Sequence, residues 1–161
     1  MSKEGNESVA KSTGVGRSGF AGRFDRPLDG KKRFTIPSEW RKLMGDPEFV
    51  YVMPDPVERC VNIIPAVEME SRLAKLRERA LFDPALAPVL EKIGSNSEMP
   101  SLDVQGRIRI SDKLLQFANL TTTVAMVGAV RLIKLWDPAA LEPADKVDQA
   151  GLREALATAG F

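Results

Sequence analysis

The chain has 161 residues, 43% of them hydrophobic and 28% charged. That is enough for one ordinary domain or two small halves sharing a core, and too apolar for a disordered chain. The formal charge of +1 neither demands nor excludes nucleic acid. There is no His and one Cys, Cys60, which removes His-based nucleophile and metal sites and any disulfide within the chain, and fits a reducing cytosol.

In chain order, residues 1–19 are rich in Ser, Gly, Lys and Glu and predict a flexible tail with basic residues Lys3, Lys11 and Arg17. No apolar run of a secretory signal stands there. Phe20, Gly22, Phe24 and Leu28 alternate with polar residues and predict a strand, with Pro27 at an edge or near its end. Asp29-Gly30 predicts a tight turn, and Arg33 to Ile36 a return strand. Ser38 is expected to cap a short helix carrying Trp40, Leu43 and Met44. Phe49 to Met53 and Cys60 to Ile64 read as a β-hairpin closed by Pro65.

Val67 to Leu81 predicts an amphipathic helix with Leu73, Leu76 and Ala80 on one face, and Leu86 to Ile93 a second helix ending at Gly94. A loop follows. Then Arg107 to Ile110 predicts a strand, Ser111 or Asp112 caps a helix, and Val124 to Val127 with Leu132 to Trp136 form a hairpin around Gly128. Its apolar stretch is too short to span a bilayer. Beyond Trp136, residues such as Leu141, Val147, Leu152 and Leu156 predict one or two weak helices.

The second half repeats the first. Leu28-Asp29-Gly30-Lys31-Lys32-Arg33-Phe34-Thr35-Ile36 and Leu102-Asp103-Val104-Gln105-Gly106-Arg107-Ile108-Arg109-Ile110 share Leu-Asp-x-x-x-Arg, an apolar residue, a polar residue and Ile. The spacing to the following helix and hairpin is constant until the hairpin turn, where the first copy is longer by about two residues, as loops tolerate. Each half reads β-β-α-β-β, too small to stand alone, so the two are expected to pack as a pseudo-dimer with both turns on one side of a pseudo-twofold axis.

An Asp four residues before an Arg can cap the turn and aim the guanidinium, a planar fork suited to phosphate or to guanine O6 and N7. Lys31, Lys32, Arg23, Arg26, Arg41 and Lys42 surround the first motif, and Arg109 and Lys113 the second. One such pair alone is an ordinary surface ion pair worth about 0–1 kcal/mol. Two copies with basic neighbours fit a DNA reader.

At these residues the chain resembles the MraZ family, within the AbrB-like swapped-hairpin superfamily. The resemblance runs from about Phe20 to Leu141. It rests on Phe20-x-Gly22, Leu28-Asp29-x-x-x-Arg33-x-x-Ile36-Pro37-x-x-x-Arg41, Leu102-Asp103-x-x-Gly106-Arg107-x-x-Ile110, and Val124-x-Met126-Val127-Gly128 followed by Leu135-Trp136-Asp137. It implies an α+β fold of two tandem swapped-hairpin halves with a barrel-like core, residues 20–65 and 97–140, joined by a helical connector at 66–96, with tails at 1–19 and 141–161. It implies a cytoplasmic, nucleoid-associated transcription factor. Such a protein binds direct repeats of double-stranded promoter DNA in the division and cell-wall gene cluster, as a homo-oligomeric ring. DNA contact would fall to Arg33 and Arg107 with Lys31, Lys32, Arg23, Arg41 and Arg109, and turn structure to Asp29, Gly30, Asp103 and Gly106. No membrane, cofactor, metal or catalysis is implied.

Three departures stand out. Gly30 sits early and Lys32 stands where the family usually has Gly, which predicts a first turn of different shape. The N-terminal tail is long, and Leu115 occupies the place equivalent to Arg41. The alternative function is an antitoxin-like protein-interaction module. An enzyme would need paired carboxylates or a Lys base, and Glu68 and Glu70 point to different helix faces.

Overall fold

The computed structural model describes residues 19–145 and 149–161; the expectations for residues 1–18 and for Val147 lie outside them. The described residues form β1 (Arg23–Pro27), β2 (Arg33–Thr35), α1 (Ser38–Leu43), β3 (Tyr51–Pro54) and β4 (Val61–Ile64). The connector is α2 (Ala66–Ala80), a 3-10 turn (Pro84–Leu86) and α3 (Ala87–Asn96). Then come β5 (Arg107–Arg109), α4 (Asp112–Phe117), β6 (Thr123–Gly128), β7 (Ile133–Trp136), α5 (Pro138–Asp145) and α6 (Gln149–Thr158). The fold is α+β, with two antiparallel sheets: five strands in the order β1-β6-β7-β4-β3, and a two-stranded ribbon β2-β5. The larger sheet is open, with β1 and β3 at its edges, so the strands do not close into a barrel.

Register carries the internal symmetry. A shift of 74 residues takes Asp29 onto Asp103, and it also takes Phe34 onto Ile108, which are paired directly across the ribbon. β1 pairs with β6, Phe24 opposite Met126 and Pro27 opposite Thr123. The same shift takes these pairs onto Glu98–Val52 and Ser101–Phe49, which are both bridged. After the hairpin turns the shift is 72 residues, and it takes Asn62 onto Lys134, again a direct pair, at the β4–β7 seam. A pseudo-twofold axis therefore passes through Phe34·Ile108 and Asn62·Lys134.

The pattern of apolar residues explains why this arrangement is stable. Phe34, Ile36, Trp40, Val50, Val52, Val61 and Ile63 are buried, and so is each symmetry mate: Ile108, Ile110, Leu114, Val124, Met126, Ile133 and Leu135. All lie in one cluster, so neither half has a core of its own. Phe20 and Phe24 meet Trp40 edge-on at 5.8 and 5.0 Å. The connector packs through Met69, Leu73 and Ile93 against Tyr51, Met53, Ile64 and Leu132. Leu141 of α5 joins Cys60, Ala125 and Trp136.

Pro27 ends β1 on the sheet edge, where its missing N–H costs no ladder bond. Four further expectations need correction. The second half lacks the strand expected before its turn: Glu98 and Ser101 make only isolated bridges, to Val52 and Phe49. The strand after the first turn does not pair back onto β1; it leaves the sheet and pairs with β5. Ser38 is the first helical residue, Pro37 is the N-cap and no side chain caps the helix, whereas Ser111 does cap α4 by accepting from the Leu114 N–H. Gly94 lies inside α3, which continues to Asn96 before Ser97 turns extended.

Candidate functional site

The ribbon β2–β5 sorts its side chains by strand alternation. Phe34 and Ile108 point into the core. Arg33, Thr35, Arg107 and Arg109 fall on the opposite face, with Arg33 across from Arg109 and Thr35 across from Arg107. Three arginines thus share the outward face of a six-residue ribbon, and one cross-strand pair is of like charge, an arrangement that costs stability by itself.

Both turns leading into the ribbon are built the same way. Asp29 Oδ1 accepts from the N–H groups of Lys31 and Arg33, each at 2.8 Å, and Oδ2 accepts from Arg33 Nε at 2.8 Å. Asp103 Oδ1 accepts from the N–H groups of Gln105 and Arg107 at 2.9 Å, and Oδ2 from Arg107 Nε at 2.7 Å. In each turn the Asp carbonyl accepts from the N–H three residues on, of Lys32 or Gly106. The backbone N–H of Arg33, aided by its side chain, holds the Asp29 carboxyl below the usual carboxylate range. Arg107 does the same for Asp103. Each Asp therefore structures the turn and aims the Arg. One edge of each guanidinium is spent on Asp. The Nη donors of Arg33 and Arg107 hydrogen-bond to nothing among the described residues.

The first turn is not different in shape. Lys32 takes a left-handed φ of 62°, where Gly106 takes 79°, so the glycine frame is kept by a non-glycine residue. The reason lies across the axis. Arg41 lies over Gly106: a Cβ there would come within 2.4 Å of Arg41 Nε and Cζ. Arg41 is held by donating from Nε to the Ile36 carbonyl at 3.0 Å. At the mate of this contact stands Leu115, half the reach and uncharged, and Lys32 and Leu115 line one groove there. Lys32 Nζ reaches Asp112 at 3.2 Å, and Asp112 also accepts from Arg109 Nη2 at 3.1 Å. The side-chain bond from Lys32, then that from Arg109, pulls the Asp112 carboxyl below its ordinary range. Lys32/Leu115 and Gly106/Arg41 are thus complementary pairs.

The structure brings Lys31, Lys32, Arg33 and Arg109 together at the first turn, and Arg41 and Arg107 at the second. Arg41 thus belongs to the turn of the other half. Gly30 is an exposed tip residue without positive φ; the left-handed position is Lys32. Arg23 is not brought in. It begins β1, at the end away from the turn, and its guanidinium binds Asp25 at 2.9 Å. Thr35 is not among the contacts expected from the sequence, yet alternation with the buried Phe34 places it on the outer face. Asp112 is not among them either; its bond to Lys32 spans 80 residues and has no local signal, although its bond to Arg109 is local.

A second charged cluster lies at the β3–β4 turn. Asp55, Glu58 and Cys60 place their ligand atoms within 4.8 Å of one another. Lys134 Nζ sits among them, 2.8 Å from Glu58 and 3.4 Å from Asp55. Burial pushes the Cys60 thiol up to about 12, and nearby Asp55 adds to the rise, so the thiolate is out of reach at neutral pH. Burial alone would raise Asp55, but the Glu58 N–H, the Asn62 amide and the Val57 N–H outweigh it and bring it to about 2. The cluster is an ion pair that ties the first hairpin to β7.

Comparison with known proteins places the chain. A family model described as "MraZ protein, putative antitoxin-like" matches residues 95–159. "Transcriptional regulator MraZ" of Corynebacterium jeikeium is 30% identical over 118 residues, covering 73% of this chain and 80% of the relative. The protein of the same name from Anaeromyxobacter dehalogenans (strain 2CP-C) is 30% identical over 138 residues, covering 80% and 95%. That of Rhodospirillum rubrum is 30% identical over 128 residues, covering 76% and 82%.

Proposed function

This chain belongs to the MraZ family, and from that premise we propose that it is a sequence-specific DNA-binding transcriptional regulator whose DNA-contacting surface is the β2–β5 ribbon with its two Asp–Arg turns. The observation that carries the assignment of the surface is the pair of guanidinium groups, each fixed by an Asp through Nε with its Nη edge unspent. A two-stranded ribbon fits the B-DNA major groove, about 12 Å wide. Arg33 and Arg107 stand on opposite strands, two residues apart along the ribbon. With a rise of about 3.4 Å per residue and strands about 4.8 Å apart, their Cα atoms are separated by roughly 8 Å, two to three base-pair steps of DNA. Pre-aimed arginines bind phosphate or guanine at little entropic cost.

We further propose that residues 20–65 and 97–140 are two swapped-hairpin repeats joined by the 66–96 connector. The symmetric registers support this, since β1 of the first repeat ladders with β6 of the second. The proposal extends to a homo-oligomeric ring binding direct repeats in the promoter of the division and cell-wall genes, where linkage of several weak sites raises effective concentration. Leu81 and Phe82 at the tip of the connector are 78% and 87% exposed and supply an apolar surface for such a contact. Among the described residues no helix is long and apolar enough to cross a membrane.

Replacing both arginines, Arg33→Ala with Arg107→Ala, tests the surface. Each bidentate contact to a base edge is worth about 1–3 kcal/mol of discrimination. The double variant should lose specific binding and keep the wild-type circular dichroism spectrum and melting profile. A folded double variant that binds its promoter like wild type would remove these arginines from the interface.

A further inference from the structure

The two turns share one frame and carry different tips. Because Asp29 and Asp103 accept from the N–H groups at matching positions, residue 30 corresponds to 104, 31 to 105 and 32 to 106. The first tip reads Gly30-Lys31-Lys32 and the second Val104-Gln105-Gly106. Val104 is 99% exposed, so its branched side chain packs on nothing among the described residues. Gln105 beside it is exposed as well. The third position differs in the same sense: Gly106 is buried under Arg41, while Lys32 is exposed.

The charge is divided unequally. Lys31, Lys32, Arg33 and Arg109 gather at the first turn. Lys31 makes no ion pair within 4 Å among the described residues, whereas Lys32 and Arg109 share Asp112. At the second turn Arg107 faces Thr35 and not another cation, and the groove beside it is lined by Arg41 together with Asp46 and Asp103.

Resting on the DNA reading above, we infer that the two turns have different tasks: the second, through Val104 and Gln105, sets base preference at a step containing A·T, and the first, through Lys31, supplies attraction to phosphate that is blind to sequence. A branched apolar side chain in the major groove has one favourable partner, the C5-methyl group of thymine. A primary amide pairs in two-point fashion with adenine N6 and N7. An ammonium on a flexible stem, in a field of like charges, is a phosphate ligand without geometric demands. A pseudo-symmetric subunit thereby presents an asymmetric reading surface and has a direction on DNA.

The shared frame supplies the test. Val104→Gly with Gln105→Lys gives the second turn the first two tip residues of the first and keeps Gly106 beneath Arg41; the same hydrogen bonds already accommodate this tip. Full-length wild type, this variant and Lys31→Ala are each selected against a randomised duplex library, then titrated against the selected and a scrambled duplex at several salt concentrations. Thermal melts confirm folding. The tip-exchange variant should lose roughly 5- to 150-fold of its discrimination for A·T at the affected positions. It should hold scrambled DNA at least as well as wild type. Lys31→Ala should weaken selected and scrambled DNA by the same factor and reduce the salt slope by about 0.9. A folded tip-exchange variant that selects the same bases as wild type overturns the inference and leaves the DNA reading intact, as does a Lys31→Ala protein with altered base choice. Wild type that selects no sequence at all overturns both.

Discussion

Gly106→Ala probes the complementarity of the turns. Two costs are expected. The residue sits at φ +79°, a left-handed conformation that costs a side-chain-bearing residue about 1 kcal/mol or more. Its new Cβ would lie 2.4 Å from Arg41 Nε and Cζ, so Arg41 must leave. Leaving breaks the Nε bond to the carbonyl of Ile36, a fully buried residue, at about 1.5 kcal/mol for a charged donor. The variant should therefore lose about 2.5 kcal/mol of stability. Arg41→Leu alone, which copies the Leu115 environment, should cost about 1.5 kcal/mol through the same lost bond. The double variant then pays for that bond once and should match Gly106→Ala alone, a coupling of about 1.5 kcal/mol. Urea denaturation of the four proteins measures it. Additive costs, near 4 kcal/mol in the double variant, would refute the claim that Arg41 excludes a side chain at 106 and that Lys32 is tolerated because Leu115 faces it.

Asp55 has its carboxyl at about 2 when folded against an ordinary 3.8, so its contribution is present above pH 3.8 and is lost as pH falls towards 2. That amounts to roughly 2 kcal/mol, and unfolding followed from pH 5 to 2 should fall less steeply by this amount in Asp55→Asn; parallel curves would show that the carboxylate is not held by the turn. Asp103→Asn keeps the size of the side chain and removes the charge that aims Arg107 through Nε; affinity for the promoter should fall by several-fold with little change in melting, and unchanged affinity would show that Arg107 needs no aiming. Leu81→Glu with Phe82→Glu changes residues that face solvent in the single chain; sedimentation should report a smaller assembly, and an unchanged mass would move the ring contact elsewhere.

Much of this architecture was legible in the sequence because it is periodic or repeated. Alternation located β1, apolar β-rich runs located the hairpin strands, and the Leu-Asp-x-x-x-Arg copies located both turns and their equivalence. What escaped was the partner of each element. Adjacency in sequence predicts that β1 pairs with the strand after Asp29, yet it pairs with β6, about a hundred residues on, and β2 pairs with β5. No local signal sets such pairings; burial of both halves in one core does. The same holds within the site. Lys32 where the family usually has glycine predicts a new turn shape, but Arg41 and Leu115 decide what fits at 106 and 32, and each comes from the opposite half. Arg23, close to the motif in sequence, is carried away from it by an extended strand.

In the proposed function the ribbon and its two turns recognise a particular DNA sequence. Fluorescence anisotropy at a fixed, stated, near-physiological salt concentration tests it, with labelled DNA from upstream of this protein's own gene titrated against a scrambled duplex of equal length. The native duplex should bind more tightly by roughly a thousandfold. Equal affinity for the two duplexes, or binding to neither, would contradict the proposed function.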